Sequence, residues 1–300
     1  MLQFKGAGVM RRLFLLIALT SACAGAGQAP SERADERRAL FSAWSEGPEP
    51  FKLASIGLEE DPGLARLWAE DLVVVMVASY RSQGVSSIGQ LNGRFERARW
   101  GLLELEELAV EPLVEMLLLG NEIGAHLALE TLVEGRERSA APLLAAAMNG
   151  APASARARAA SALGELAFAW EREEEVFERL ESVLRDDPMW VCRVNAARSL
   201  RSRADRAGAV RRVRGALTSG LGDADEEVRD ACCIALAELG DRAAVPALIN
   251  HLERVVRQGS GLGRLRNVQA ALRWLTKTKQ DLAPRAWRRV WLELQDSRQG

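Results

Sequence analysis

Apolar and polar positions along this chain recur with the period of helices rather than strands. The clearest unit runs from Asp225 to Glu253, DEEVRDACCIALAELGDRAAVPALINHLE. An acidic turn and Val228-Arg229 open a helix of small residues, and Leu239-Gly240-Asp241 closes it. Val245-Pro246 opens a second helix. The leucines that end each small-residue stretch, Leu132, Leu163, Leu200, Leu236 and Leu272, are spaced by 31, 37, 36 and 36 residues. Pro142 and Pro246 each follow their leucine by ten residues, and Arg156, Arg193 and Arg229 each precede theirs by seven. Two helices per unit at this period predict an all-α chain, an α-α superhelix of about six helix pairs. Such a fold offers surface before it offers a pocket.

The pattern predicts helices over Ser31–Trp44 and Pro62–Arg81, the latter carrying the apolar run LVVVMVASY from Leu72 to Tyr80. Regular units are expected over 95–119, from near Asn121 through Pro142, and over 153–184, 188–217 and 225–252. A degenerate unit starts near Arg264 and ends in a helix over Pro284–Gln295. The domain reading is a signal peptide over 1–23, a flexible tether over 24–35, an irregular helical N-terminal cap over 36–93 and the solenoid over 94–295. Small pairs such as Ala159-Ala160, Ala196-Ala197 and Cys232-Cys233 let neighbouring helices approach, while leucines fill the layer beneath. Asp187-Pro188 and Asp225 suit helix entry, and Pro142, Pro246 and Pro284 suit a first helical position.

The N-terminus adds an address. Met10-Arg11-Arg12 is a short basic start, Leu13–Leu19 an apolar run, and Thr20-Ser21-Ala22 a small-residue stretch before Cys23. The run falls short of the roughly 20 residues a membrane-spanning helix needs, and its order is that of an export signal with translation starting at Met10. The position of Cys23 resembles the lipobox of bacterial lipoproteins, although Thr20 stands where that pattern usually has Leu. The resemblance implies lipidation at Cys23 and an exported, envelope-anchored chain; plain secretion after cleavage is the alternative.

Asp225–Glu253 also resembles a HEAT repeat of the phycobilisome-lyase-like type, VR..A..ALG.LGD..AVP.L...L. Val228, Arg229, Ala235, Leu236, Leu239, Gly240, Asp241, Val245, Pro246 and Leu248 match, while Cys232 and Cys233 replace alanines. The segment Leu272–Leu294 is similar to the closing unit of exported bacterial HEAT-repeat proteins, with Lys277 in place of its glycine and Trp287 and Trp291 one turn apart. The resemblance implies the fold and a partner-binding surface. Some relatives act on bilin chromophores, which leaves a lyase-like enzyme as a remote alternative.

Charge narrows the surface. The net charge of -1 divides into +3 over Met1–Cys23, -13 over Ala24–Asp187, from 16 basic and 29 acidic residues, and +9 over Pro188–Gly300, from 21 and 12. Arg193, Arg198, Arg201, Arg203, Arg206, Arg211, Arg212 and Arg214 crowd into 22 residues with one acid, Asp205. They form the candidate partner-binding face, suited to bidentate contacts with carboxylates or phosphates. Nucleic acid is the alternative ligand, and the export signal argues against it. The charge asymmetry also permits head-to-tail self-association.

No catalytic, cofactor or metal site is expected. His126 and His251 stand repeats apart, with His126 read as a packed helix residue. No cysteine pair has zinc spacing, and there is no phosphate-binding glycine loop. Cys192, Cys232 and Cys233 read as small packing residues without a disulfide. The eight tryptophans read mostly as core between repeats, with Trp287 and Trp291 sealing the C-terminal end. The expected function is a non-enzymatic protein-binding scaffold of the cell envelope.

Overall fold

A computed structural model describes residues 62–82, 93–135, 139–166, 173–204, 208–259, 261–279 and 281–296. Cys23, the signal, the tether, most of the cap, Trp44 and Trp170 lie outside the described residues. Among these residues, apart from turns and loops, every element is helical: α1 Pro62–Ser82, α2 Gly93–Glu104, α3 Glu107–Leu119, α4 Glu122–Gly135, α5 Ala140–Ala147 and α6 Ala153–Glu165. There follow α7 Glu173–Asp186, α8 Trp190–Arg203, α9 Val210–Gly220, α10 Glu226–Leu239, a 3-10 turn Arg242–Ala244, α11 Val245–Gln258, α12 Leu262–Thr276 and α13 Pro284–Asp296. The helix pairs fall where the repeat register places them, and the fold is all-α, of the α-solenoid type. No described helix is long and apolar enough to cross a membrane.

The chain divides into two compact units at Ala159/Ala160, within α6. In the first unit α1 packs against α2 and α3, and α3 against α4. The run of α1 buries Trp68, Leu72, Val73, Met76 and Val77, and leaves Val74 exposed. Thr131, on α4, sits against Met76 and returns its hydroxyl hydrogen bond to Leu127 O at 2.8 Å, which satisfies a buried polar group within its own helix.

In the second unit the first helices of successive pairs, α8, α10 and α12, are neighbours, and the second helices α7 with α9 and α11 with α13 form the other layer. Small side chains set the spacing, as the sequence requires. Ala196, Ala197, Cys232 and Cys233 are fully buried. A Cβ on Gly164 would stand 2.8 Å from Ser199 Cα, so only glycine fits there. Helix starts follow from the aspartates. Asp225 Oδ1 accepts from Glu227 N at 2.9 Å, and Asp241 Oδ1 accepts from Ala243 N at 3.0 Å, satisfying amides that have no intrahelical acceptor. Gly240 ends α10 at φ 71°. Pro284 opens α13, whereas Pro246 is the second residue of α11 and Pro142 the third of α5; Pro112 lies inside α3.

Tryptophan placement corrects one expectation. Trp68 and Trp287 are buried, but Trp100, Trp190 and Trp274 are exposed. The residues facing the neighbouring helices at those levels are the alanines and leucines, which leaves the larger rings on the outside. Trp287 is held by its indole N–H, which donates to Gln269 Oε1 at 2.7 Å, while Gln269 Nε2 donates to Leu282 O at 2.8 Å. Trp291 is half-buried.

Candidate binding face

The eight arginines do not act as one face. Arg193 is on α8, and its Nε and Nη2 donate to the two carboxylate oxygens of Asp223 at 2.8 and 2.9 Å. Its Nη1 donates to Asp187 O at 2.7 Å. The Asp223 hydrogen bonds raise the pKa of this guanidinium further, against the opposing effect of burial. Arg229 repeats the arrangement one unit later, donating to Asp223 O at 2.7 Å and Ala224 O at 2.9 Å. In the first unit Arg156 donates to Ala151 O at 2.7 Å. Arg156, Arg193 and Arg229 therefore each tie down the loop that precedes their own helix. That role is structural, and it removes Arg193 from any binding face.

Arg203 requires the firmest correction. It is 1% exposed. Its Nε donates to Leu163 O at 2.5 Å and its Nη2 to Leu166 O at 3.0 Å, with Glu173 Oε1 4.0 Å from Nη1. These carbonyls stand at and just after the end of α6, where helical carbonyls lack intrahelical partners. Arg203 is an internal cap and cannot touch a partner.

On α9, Arg212 makes a two-pronged contact with Glu181, 2.7 and 2.9 Å, adds Glu174, and lies over the Phe177 ring at 5.5 Å. The Glu181 hydrogen bonds, ahead of those to Glu174, raise its pKa. Arg214 pairs with Asp241. Arg198 on α8 and Arg211 on α9 are exposed, Arg201 is half-buried, and Arg206 lies outside the described residues. Among the described residues, the exposed members of the cluster are Arg198 and Arg211, carried on helices of two different layers.

The remaining candidates resolve as follows. Beside Arg212, α7 and α9 enclose an open cleft of about 430 Å³ lined by Glu181, Leu184, Arg185, Gly215, Ala216 and Ser219 among others. It exists because α9 turns small residues toward α7. In the first unit, Glu70, Val73, Val74, Pro112, Glu115, Met116, Leu119 and Gly120 line a cleft of about 270 Å³ between α1 and α3. His126 is exposed and approaches Glu130 at 3.3 Å on the next turn, which corrects its reading as a packed residue. His251 is the buried histidine. Neither of its ring nitrogens has a hydrogen-bond partner, and burial, aided by Arg254 and Arg229, pushes its pKa down to about 4. Cys192, Cys232 and Cys233 are buried and form no disulfide among the described residues. Burial pushes the Cys232 thiol up and the Cys233 thiol up to about 12, which keeps both protonated and unreactive. Among the described residues no group of three His, Cys, Asp or Glu side chains could hold a metal ion.

Stacked pairs of short helices at a regular spacing define a repeat protein. Residues 180–263 match the family model of HEAT repeats. No curated protein matches the chain. Three solved structures are similar at low identity. One is a chain from the structure of Kap95p binding to RanGDP, with 10% identity and a TM-score of 0.43. The alignment covers 81% of this chain and 33% of that one, so this chain spans about a third of its length. The second is an engineered protein, with 16% identity, a TM-score of 0.40, and coverage of 72% and 92%. The third comes from the complex of CpcE and CpcF of phycocyanin lyase from Nostoc sp. PCC7120, with 17% identity, a TM-score of 0.35, and coverage of 84% and 96%.

Proposed function

We propose that this chain is a non-enzymatic scaffold of the bacterial cell envelope, exported by its N-terminal signal and anchored through Cys23, where it captures a protein partner. The observation that carries the protein-binding reading is the α1–α3 cleft of the first unit. Val74 and Leu119 stand at it 60% and 55% exposed, with Glu70 and Glu115 alongside. Apolar side chains left in water beside carboxylates suit a partner that inserts an apolar anchor next to a cation, the usual composition of an interface hot spot. The acidic balance of Ala24–Asp187 steers such a basic partner. Arg198 and Arg211 supply a separate set of contacts for acidic groups.

Crosslinked capture from native envelopes tests the reading. A Val74→Glu/Leu119→Glu double variant loses the partner, and Arg198→Glu/Arg211→Glu weakens capture in a salt-sensitive way. Equal capture of the same proteins by Val74→Glu/Leu119→Glu and the parent would overturn the reading. Intact mass from native membranes tests the address: a mature form beginning after Cys23 without a lipid adduct removes the anchor.

A further inference from the structure

From Arg254 to Gln280 the chain carries seven cations and no acid, a longer acid-free stretch than the arginine cluster upstream. Its centre is α12. Successive helical residues turn by about 100°, so Leu262, Arg266, Ala270, Arg273, Trp274 and Lys277 fall within about 120° of arc. All are exposed except Arg273, which is half-buried. Leu262 is 72% and Trp274 61% exposed, and they stand about 18 Å apart along the helix, with the cations between them. Lys277 Nζ lies 4.2 Å from the Trp274 ring centre, and Lys279 follows on the same turn.

Part of this charge is consumed internally, with Arg254 donating to Leu221 O at 2.5 Å and Arg257 to Glu253 O at 3.3 Å. Arg273 pairs with Asp281 at 2.8 Å, and Arg264, on the flank, reaches Glu226 and Asp230. Arg266, Lys277 and Lys279 form no ion pair with a described residue. Lys277 also occupies a costly place. It ends α12 at φ 61°, a left-handed conformation that favours glycine and costs a β-carbon-bearing residue stability. A lysine held there contributes charge to the surface at the expense of the fold.

We propose that the outward face of α12, with the turn through Lys279, docks on the surface of an anionic phospholipid bilayer. An in-plane helix with cations on its polar arc and Trp and Leu at its margins fits the headgroup boundary, where tryptophan settles at the level of the headgroups. Each cation near a negatively charged leaflet adds to the attraction, within a Debye length. An acidic protein surface would match the charge, but it gives no reason for isolated apolar side chains some 18 Å apart without a shared cavity. This docking is independent of the cleft between α1 and α3.

The test uses the full chain and vesicles of phosphatidylcholine, with or without phosphatidylglycerol. The N-terminal apolar run is common to parent and variants, so their difference reports on α12. The parent binds the anionic vesicles more tightly than the neutral ones, and Arg266→Glu/Lys277→Glu loses at least about tenfold of that binding. Lys277→Gly melts at a higher temperature yet binds more weakly, which separates docking from folding. Brominated phosphatidylglycerol quenches tryptophan emission less in Trp274→Phe than in the parent. Unchanged vesicle binding by Arg266→Glu/Lys277→Glu overturns the proposal. If the same variant instead loses an acidic protein while still binding vesicles, the face belongs to that protein.

Discussion

Two basic regions of the second unit use their charge in opposite ways. Around α8 and α9, Arg193, Arg203, Arg212 and Arg214 are spent on Asp223, on carbonyls of α6, on Glu181 and on Asp241. Around α12, Arg266, Lys277 and Lys279 remain directed at solvent. The difference is the supply of acceptors one repeat away. Residues about 30 positions apart become neighbours in a stacked helix pair, so α9 finds the glutamates of α7, and α8 finds Asp223. For α12, Glu226 and Asp230 of the preceding pair are taken by Arg264, and Asp281 takes Arg273. The density of arginines in a sequence therefore predicts a basic surface poorly in a repeat protein. The composition of the adjoining repeats decides it.

The largest effect expected from this comparison is at Arg203. Arg203→Ala leaves the Leu163 and Leu166 carbonyls buried without donors, a loss of about 3 kcal/mol in unfolding free energy by urea titration. Arg203→Lys recovers little, because an ammonium cannot span both carbonyls with a planar fork. A loss below about 1 kcal/mol would return Arg203 to the surface set.

His251 gives an intermediate effect with a definite pH dependence. Its folded pKa, about 4, lies below the ordinary 6.5, so the unfolded chain binds the proton first as pH falls. The stabilisation from neutral His251 is complete above about pH 6.5 and is lost on acidification toward pH 4. Between about pH 7.5 and pH 5 this amounts to about 2 kcal/mol. The decline should be absent in His251→Leu, and an equal decline in that variant would assign the effect to other groups.

The smallest effects sharpen the contrast most directly. Arg212→Ala, which breaks a partly shielded network, costs about 1 kcal/mol, while Arg266→Ala on the open face of α12 costs less than about 0.5 kcal/mol. Thermal melts of the two variants side by side decide this. Equal losses would mean that α12 carries hidden ion pairs and that the two regions are alike.

Much of the fold was legible because the repeat period is enforced by short-range rules. Gly240, Asp225 and Pro284 mark helix ends through backbone chemistry that needs no neighbour. The candidate face was less legible. Arg203 and Arg211 look equivalent on paper, yet one caps a buried helix end and the other meets water. The regular offset of Arg156, Arg193 and Arg229 did hold the clue that some arginines serve the loops. The acid-free stretch from Arg254 to Gln280 was equally visible, but evenly spaced cations attract less notice than a cluster. The exposed rings of Trp100, Trp190 and Trp274 show the same limit, since an aromatic residue on a helix carries no mark of which flank a neighbour will cover.

By itself, then, the sequence determined helices, their ends, their pairing and the repeat register, because these follow from local backbone preferences and a period-matched apolar stripe. Only the tertiary structure decided which cations are neutralised, which carbonyls need a guanidinium and which apolar side chains stay wet. Those outcomes depend on residues brought together from about 30 to 40 positions away, and charge interactions are set by that proximity and by burial rather than by order along the chain.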